Sequence, residues 1–226
     1  MSDWLALLID SLPAFWQGTL VTLELTVVGL LMGFVLGMLA ALGRSYGPPW
    51  ARWLAIGYIE LFRGTPLLVQ LFLVYYGLPG LGITLDRMPS AFLALGLNSG
   101  AYQAEYLRGS LLAIGEGQMM AGRAIGMSRA KTIWYIILPQ ALRLVIPAWS
   151  NEPISLLKST AIAFLIAVPD LMTKAKAVAA RTYDPIGTYL AVAVVYLAMV
   201  FILDNFLKWL ERRVKVPGFD LEMKKT

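Results

Sequence analysis

The sequence predicts an all-helical membrane protein with about five transmembrane helices. Its composition is the first reason, because 58% of the residues are hydrophobic, only 15% are charged and the mean hydropathy is +0.68. Soluble domains usually contain about 25% charged residues. The arrangement is the second reason, because the apolar residues form long segments and most cations lie at the segment ends. The cations behind the net charge of +5 are therefore interpreted as flanks of membrane-spanning segments in a lipid bilayer, and no nucleic-acid partner is predicted.

Five apolar segments are long enough to cross a bilayer, which takes roughly 20 helical residues. They lie at about residues 18–42, 53–78, 89–114, 145–168 and 186–210. Together they predict a single transmembrane domain over residues 1–226.

The Lys and Arg residues between these segments predict an N-out, C-in orientation, because cytoplasmic loops are enriched in cations. With the N-terminus outside, the cytoplasmic side receives Arg44, Arg52, Arg108, Arg123, Arg129, Lys131, Lys208, Arg212, Arg213, Lys215, Lys224 and Lys225. The outer side receives only Arg87, Lys174, Lys176 and Arg181. A polar loop at about 115–140 is then cytoplasmic.

The stretch 169–183 is predicted to be a short amphipathic helix at the outer surface. Its apolar residues recur at helical spacing: Leu171, Met172, Ala175, Val178 and Ala179. Asp184 and Pro185 then interrupt the chain before the fifth segment.

The cytoplasmic loop contains several glycines and cations in an otherwise apolar chain. Gly126 is predicted to allow a sharp turn between two short helices, where a Cβ atom would strain the backbone. The apolar run that follows is expected to stop at Pro139, which lacks the N–H needed to continue a helix.

Two apolar segments carry a polar face, and these faces predict a water-accessible pocket within the membrane. In the third segment, Asn98, Tyr102 and Glu105 share one helical face; in the fourth, Glu152 shares a face with Ser155 and Ser159, beside Asn151. The candidate substrate-binding residues are Asn98, Tyr102, Asn151, Glu152 and Ser155. The alternative is that these side chains only hold the helices together, with Glu152 pairing with Lys158 or with a cation on another helix.

The other charges inside the apolar segments are interpreted as structural ion pairs. Glu60 and Arg63 are three residues apart, as are Glu105 and Arg108, so each pair lies on one side of a helix.

The sequence offers no catalytic residues, no metal site and no cofactor site. It lacks Cys and His, so thiolate chemistry and the most common zinc ligand are excluded. The nearest approach to a phosphate-binding P-loop, residues 126–132, lacks the Gly that should precede the Lys. Any ATP chemistry must come from a partner.

Several motifs resemble those of permease subunits of ABC importers for polar amino acids. The loop at 117–139 is similar to the family's cytoplasmic "EAA" loop: Met120-Ala121 takes the place of Ala-Ala, Gly126 is the central Gly, and 136–139 reads Ile-Ile-Leu-Pro. The acidic residue of Glu-Ala-Ala is absent. Further matches extend over most of the chain and read ELFRGTPLLVQ at 60–70, NSGAY at 98–102, LPQALR at 138–143, SNE at 150–152 and LERR at 210–213.

The resemblance implies a type I importer fold in the bacterial cytoplasmic membrane and a permease that hydrolyses no ATP itself. It implies four kinds of partner: an ABC ATPase dimer that binds ATP and Mg, a second permease subunit, identical or paralogous, an extracytoplasmic amino-acid-binding protein and the lipid bilayer. A coupling helix within about 121–132 would dock on the ATPase. The coupling residues expected from it are Ala121, Gly122, Ala124, Gly126, Met127 and Ser128.

The expected substrates are basic amino acids such as arginine, lysine, histidine or ornithine, or opine-like compounds, because a buried Glu152 favours a cation. The sequences SNE at 150–152 and VPDL at 168–171 also resemble permeases of that class. Neutral or acidic polar amino acids are the alternative within the family. A more distant alternative is an ion-driven secondary transporter, which often has ten or more helices in inverted repeats; an intramembrane enzyme is a further one.

Overall fold

The computed structural model describes residues 2–214, with side chains described for 10–114 and 116–214. The predicted cytoplasmic cations Lys215, Lys224 and Lys225, and the end of the predicted domain, lie outside this range. The described chain is helical and contains no β-strand. Its α-helices are α1 (Ser2–Tyr46), α2 (Pro49–Gly64), α3 (Leu67–Phe72), α4 (Arg87–Ala113), α5 (Gly115–Ala124), α6 (Arg129–Thr132), α7 (Leu138–Leu144), α8 (Ile146–Trp149), α9 (Asn151–Ser159), α10 (Leu171–Thr182) and α11 (Pro185–Val214).

Two described helices are long and apolar enough to cross a membrane alone, namely Asp10–Tyr46 within α1 and α11. Two bent helix pairs raise the number to as many as four. The predicted second segment, 53–78, is one of these pairs: Pro49–Gly64 and Leu67–Leu81 meet at 106°. The predicted fourth segment lies in the other pair, Arg129–Leu144 and Ile146–Ile166, which bends by 49°.

The predicted third segment corresponds to α4, which is too polar to count as a membrane span by composition. It lies at the centre of the fold, where α1, α2, α7 and α9 pack around it. Its buried residues include the polar Ser99, Gln103 and Ser110. Because neighbouring helices rather than lipid surround α4, its polar side chains can find partners within the protein.

Each of two π-helical turns comes immediately before a Leu-Pro pair. In the turns Leu73–Gly77 and Ile133–Ile137, the N–H of the following Leu donates to a carbonyl five residues earlier: Leu78 to Leu73, and Leu138 to Ile133. The wider turn accommodates a proline, which has no N–H and would clash with a carbonyl in a regular helix. Helical structure therefore continues through Pro139 into α7, and the expectation that the helix stops there is corrected.

The predicted amphipathic helix is α10, and its buried residues are Leu171, Ala175, Val178 and Ala179. These residues pack against α1 and α11. Asp170 caps the helix by accepting a hydrogen bond of 2.9 Å from the Thr173 N–H. Burial nevertheless raises the pKa of the Asp170 carboxyl above its usual value.

Small residues allow α1 and α4 to approach closely. A Cβ atom on Gly33 would lie 2.7 Å from Gln103 Nε2, and one on Gly37 would lie 2.9 Å from the Gly100 carbonyl oxygen. No side chain fits at such distances without moving one helix away from the other.

Replacing Gly37 with Leu should therefore destabilise the protein by about 1–3 kcal/mol, the usual cost of overpacking. Thermal unfolding of the detergent-purified protein should show a lower midpoint. Gly57→Leu is the matched control, because a Cβ atom at Gly57 in α2 would meet no atom within 4 Å. An equal effect of the two substitutions would argue against a close α1–α4 contact.

Candidate functional site

The break between α2 and α3 shapes the site. Helix α2 ends at Gly64 because the next two residues are Thr65 and Pro66, and a residue before proline is biased toward extended backbone. Thr65 has φ −119° and ψ 148°, and Pro66 has φ −64° and ψ 135°. The chain therefore turns through 106° and leaves the last carbonyl groups of α2 without helical partners.

Two side-chain amides bind these free carbonyl groups. Gln70 Nε2 donates to the carbonyl oxygens of Phe62 at 2.8 Å and Thr65 at 3.0 Å, and also to Thr65 Oγ1 at 2.9 Å. Asn98 Nδ2 donates to the Phe62 carbonyl oxygen at 3.1 Å and to Gln70 Oε1 at 3.0 Å. These bonds join α2, α3 and α4. The Asn98 amide nitrogen therefore stabilises the helix break.

A cavity of about 520 Å³ opens beside this break. Its lining comes from the end of α2, the break itself, the start of α3, α4 and α9. It comprises Arg63, Gly64, Thr65, Pro66, Leu67, Asn98, Tyr102, Tyr106, Glu152, Ser155, Leu156 and Ser159. The two predicted polar faces therefore meet at one cavity, as the spacing of their residues predicts.

Glu152 is a buried carboxylate without a cationic partner in the described chain. Only 5% of the residue is exposed, and Ser99 Oγ donates to Oε1 at 2.7 Å. No Lys or Arg nitrogen of residues 10–114 or 116–214 lies within 4.0 Å of its oxygens, and the alternative pairing with Lys158 is therefore not formed here. Ionised carboxylates are costly to bury unless a cation or several donors stabilise them.

Further hydrogen bonds orient the Ser99 hydroxyl. Gln103 Nε2 donates to Ser99 Oγ at 3.0 Å and to the Leu30 carbonyl oxygen at 3.1 Å, while Trp149 Nε1 donates to Gln103 Oε1 at 2.7 Å. Because Ser99 Oγ accepts from Gln103, its own proton points toward Glu152. The network fixes Glu152 in place without neutralising it.

Three arginines surround Glu105, and one of them, Arg63, also lines the cavity. Arg44 Nη1 lies 2.6 Å from Glu105 Oε1, and Arg108 Nη2 lies 2.8 Å from Oε2. Arg63 is more distant, with 3.9 Å between its Nη1 and Oε2. The expected pair of Glu60 and Arg63 is thus replaced by a contact between Arg63 and Glu105, whereas Glu105 and Arg108 do pair.

Four of the five candidate substrate-binding residues line the cavity: Asn98, Tyr102, Glu152 and Ser155. Asn151 is exposed and does not belong to the lining, because adjacent residues of a helix point about 100° apart. Sequence analysis missed the contributions of Gln70 and Tyr106 and the place of Arg63 at the cavity. The Thr-Pro pair was the available signal, since a helix break in an apolar segment requires polar groups nearby.

The predicted coupling residues lie on and after α5. The range 121–132 contains the end of α5 (Gly115–Ala124), a turn and the whole of α6 (Arg129–Thr132). Gly126 has φ 84° in the turn before α6, which agrees with the predicted turn between two short helices. Gly122 is buried, and a Cβ atom there would lie 2.6 Å from Thr132 Cγ2, whereas Ala121, Ala124 and Ser128 are exposed and Met127 is half-buried.

Two large apolar side chains on this segment are exposed in the described chain. Met120 is 64% exposed and Ile125 is 76% exposed. Ser128 Oγ caps α6 by accepting from the Lys131 N–H at 3.3 Å. The segment is thus a folded surface element with exposed apolar side chains.

Comparison with known proteins identifies related sequences over nearly the whole chain. Residues 33–216 match the family model described as "Binding-protein-dependent transport system inner membrane component". The L-cystine transport system permease protein TcyB of Bacillus subtilis is 41% identical over 206 residues, covering 89% of this chain and 88% of that protein. The glutamine transport system permease protein GlnP of Escherichia coli is 38% identical, with 95% and 98% covered.

The arginine transport system permease protein ArtQ of Bacillus subtilis is 37% identical, with coverage of 92% of this chain and 95% of that protein. Among solved structures, one described as an amino acid ABC transporter with histidines superposes with a TM-score of 0.84 at 36% identity. That match covers 91% of this chain and 96% of the other.

Proposed function

The chain belongs to the family of binding-protein-dependent transport system inner membrane components, and we propose that it is the permease subunit through which an ABC importer moves basic amino acids. Its relatives are permease proteins of amino acid transport systems, and one similar structure is an amino acid ABC transporter. The family and the apolar helices make it a multi-pass inner-membrane protein.

The observation that supports a basic substrate is the unpaired Glu152 carboxylate. It is 5% exposed, lines a cavity of about 520 Å³ and has no cationic neighbour within 4.0 Å in the described chain. A cavity of this size is within the usual range for small-molecule sites, about 300–1,000 Å³. A guanidinium or ammonium group of the substrate would supply the missing charge.

A neutral amino acid is the second candidate, because two similar permeases are named for cystine and glutamine. Glu152 would then bind the α-ammonium group, which every amino acid has. The two candidates differ in whether the side chain of the substrate must carry a positive charge.

Competition uptake separates these candidates. Membrane vesicles containing the permease, its ATPase and its binding protein should accumulate labelled L-arginine only when ATP is supplied. Unlabelled lysine and ornithine should compete, and glutamine should not. Uptake of glutamine with no competition by arginine would overturn the basic-substrate proposal and favour the neutral alternative.

Coupling to a separate ATPase is proposed to act through the surface of α5 and the following turn. This segment lies in the chain between α4 and the helical run Arg129–Leu144, which leads through α8 to α9. Both α4 and α9 contribute cavity residues, Asn98 and Tyr102 on one side and Glu152 and Ser155 on the other. When ATP binding moves the ATPase subunits, a displacement of this segment would therefore be transmitted to both α4 and α9, which form walls of the cavity.

The proposed N-out, C-in topology has five spans, with α4 as a third span shielded by its neighbours, and it makes a separate prediction for chemical labelling. The chain has no Cys, so single Cys substitutions give an unambiguous signal. We expect Ser128→Cys to react only from the cytoplasmic side and Asp86→Cys only from outside, since both positions are exposed. Impermeant maleimide applied to right-side-out and inside-out vesicles measures this; the reverse pattern would contradict the orientation and the docking proposal.

A further inference from the structure

Arg63 has a positive charge that the protein itself does not fully neutralise. Of the three arginines around Glu105, Arg44 and Arg108 lie at 2.6 and 2.8 Å and Arg63 at 3.9 Å. Arg108 also uses Nε, which lies 3.1 and 3.2 Å from the two carboxylate oxygens. One carboxylate can balance only one of these three cations, and the two nearer arginines occupy its oxygens.

The guanidinium group of Arg63 is held at the cavity wall. It makes a cation–π contact with the ring of Tyr102, with 5.4 Å between Cζ and the ring centroid, and both residues line the cavity. The Arg63 side chain is 40% exposed, more than that of Arg44 or Arg108. The guanidinium donates no hydrogen bond to the described residues, and its planar group of N–H donors can bind a carboxylate through two parallel hydrogen bonds.

The same cavity therefore has an incompletely paired cation on α2 and an unpaired carboxylate, Glu152, on α9. Two opposite charges on separate walls of one cavity match a zwitterion and neither a simple cation nor a simple anion. An unoccupied cavity leaves both charges poorly balanced, and a bound amino acid would supply both counter-charges at once.

We propose that Arg63 binds the α-carboxylate of the transported amino acid, so that the cavity selects substrates that have this group. This inference rests on the proposed function, because it assigns one end of the substrate in that site. It predicts that an amino acid binds much more tightly than the amine formed by removing its carboxylate. It applies whether Glu152 binds a basic side chain or the α-ammonium group.

Three matched ligand pairs test the inference on the purified permease–ATPase assembly without the binding protein. They are L-arginine and agmatine, L-glutamine and 4-aminobutanamide, and L-cystine and cystamine. Each pair differs only in α-carboxylates, one in the first two pairs and both in the cystine pair. Equilibrium binding should favour the carboxylated member by about 10- to 100-fold, as expected for a charge-assisted contact.

Arg63→Gln should remove this preference, because it should weaken binding of the amino acid about 10- to 100-fold and change binding of the amine little. Arg63→Lys keeps the charge and should retain part of the preference, with loss of the bidentate geometry. Arg52→Gln is the matched control, because Arg52 is an exposed arginine near the opposite end of the same helix and lies outside the cavity lining. It should leave the preference intact.

A purely structural Arg63 would give a different result. Arg63→Gln would then weaken both members of each pair equally or only lower the thermal stability, and the unchanged ratio would overturn the inference. A wild-type assembly that binds glutamine but neither arginine nor agmatine would contradict the proposal of a basic substrate. It would still support the role of Arg63 if Arg63→Gln abolished the preference for glutamine over 4-aminobutanamide. A wild-type assembly that binds no amino acid would overturn the proposed function and this inference with it.

Discussion

Glu152→Gln is expected to weaken the binding and transport of L-arginine by about 10- to 100-fold, since a charge-assisted contact contributes roughly 1.5–3 kcal/mol. The glutamine side chain keeps the shape and can still accept the hydrogen bond from Ser99, whose Oγ lies 2.7 Å from Oε1. Only the negative charge facing the cavity is lost. Uptake of labelled arginine, compared with that of a neutral amino acid if one is carried, measures the effect.

The stability of the Glu152→Gln protein provides an independent result. A buried carboxylate without a cation is costly, so the neutral amide should leave the unfolding midpoint unchanged or raise it. If Glu152 instead paired with Lys158, Glu152→Gln would lower the midpoint and transport of all substrates, and adding Lys158→Met would restore both. Such a rescue would show that Glu152 has a structural role and does not bind the substrate.

Glu60→Gln is the matched control for Glu152→Gln. Glu60 is an exposed carboxylate of α2 outside the cavity lining and without a cation within 4.0 Å in the described chain. Its substitution should leave arginine transport unchanged. An equal loss in both variants would show that general negative charge, and not the cavity carboxylate, governs transport.

Gly126→Val is expected to abolish ATP-coupled transport while membrane insertion is retained. Gly126 has φ 84°, and a β-branched residue in this region of backbone space is strained by at least about 1–2 kcal/mol. A Cβ atom there would meet nothing within 4 Å, so any effect arises from the changed backbone of the turn and not from a steric clash. Uptake and ATPase activity of the reconstituted assembly, measured together, should show that transport is uncoupled from hydrolysis.

Two controls isolate the backbone effect at Gly126. Asn tolerates a left-handed backbone better than Val, so Gly126→Asn should retain most of the transport activity. Gly117→Val lies in α5 on the same segment, also with no atom within 4 Å of the new Cβ, and should leave transport unchanged because valine is favoured over glycine in a helix. Normal coupling in Gly126→Val would exclude this turn from force transmission.

The features predictable from sequence are those encoded locally. Apolar composition predicts the membrane class, helical spacing predicts α10, and the i, i+4 pattern of Asn98 and Tyr102 predicts their shared face. The positive φ of Gly126 follows from glycine being the residue that adopts it without strain. Each prediction needs only the residues within a few helical turns.

The features that sequence analysis missed depend on contacts between distant residues. Arg44 and Glu105 are 61 positions apart, so no local spacing rule could indicate that this pair would leave Arg63 only loosely held. Predicting the 106° bend requires the Thr-Pro pair to be considered together with Gln70, whose side-chain amide binds the carbonyl groups that the bend exposes. Asn151 lies outside the cavity lining although its neighbour Glu152 lines it, because a single-residue step turns the side-chain direction by about 100°.

The most direct measurement is a structure of the assembled transporter with L-arginine bound, determined with both permease subunits and the ATPase present. The account predicts ligand density in the cavity between α2, α4 and α9, with the guanidinium group against Glu152 and the α-carboxylate toward Arg63. Density elsewhere, or a cationic side chain of the second permease subunit within ion-pair distance of Glu152, would contradict it.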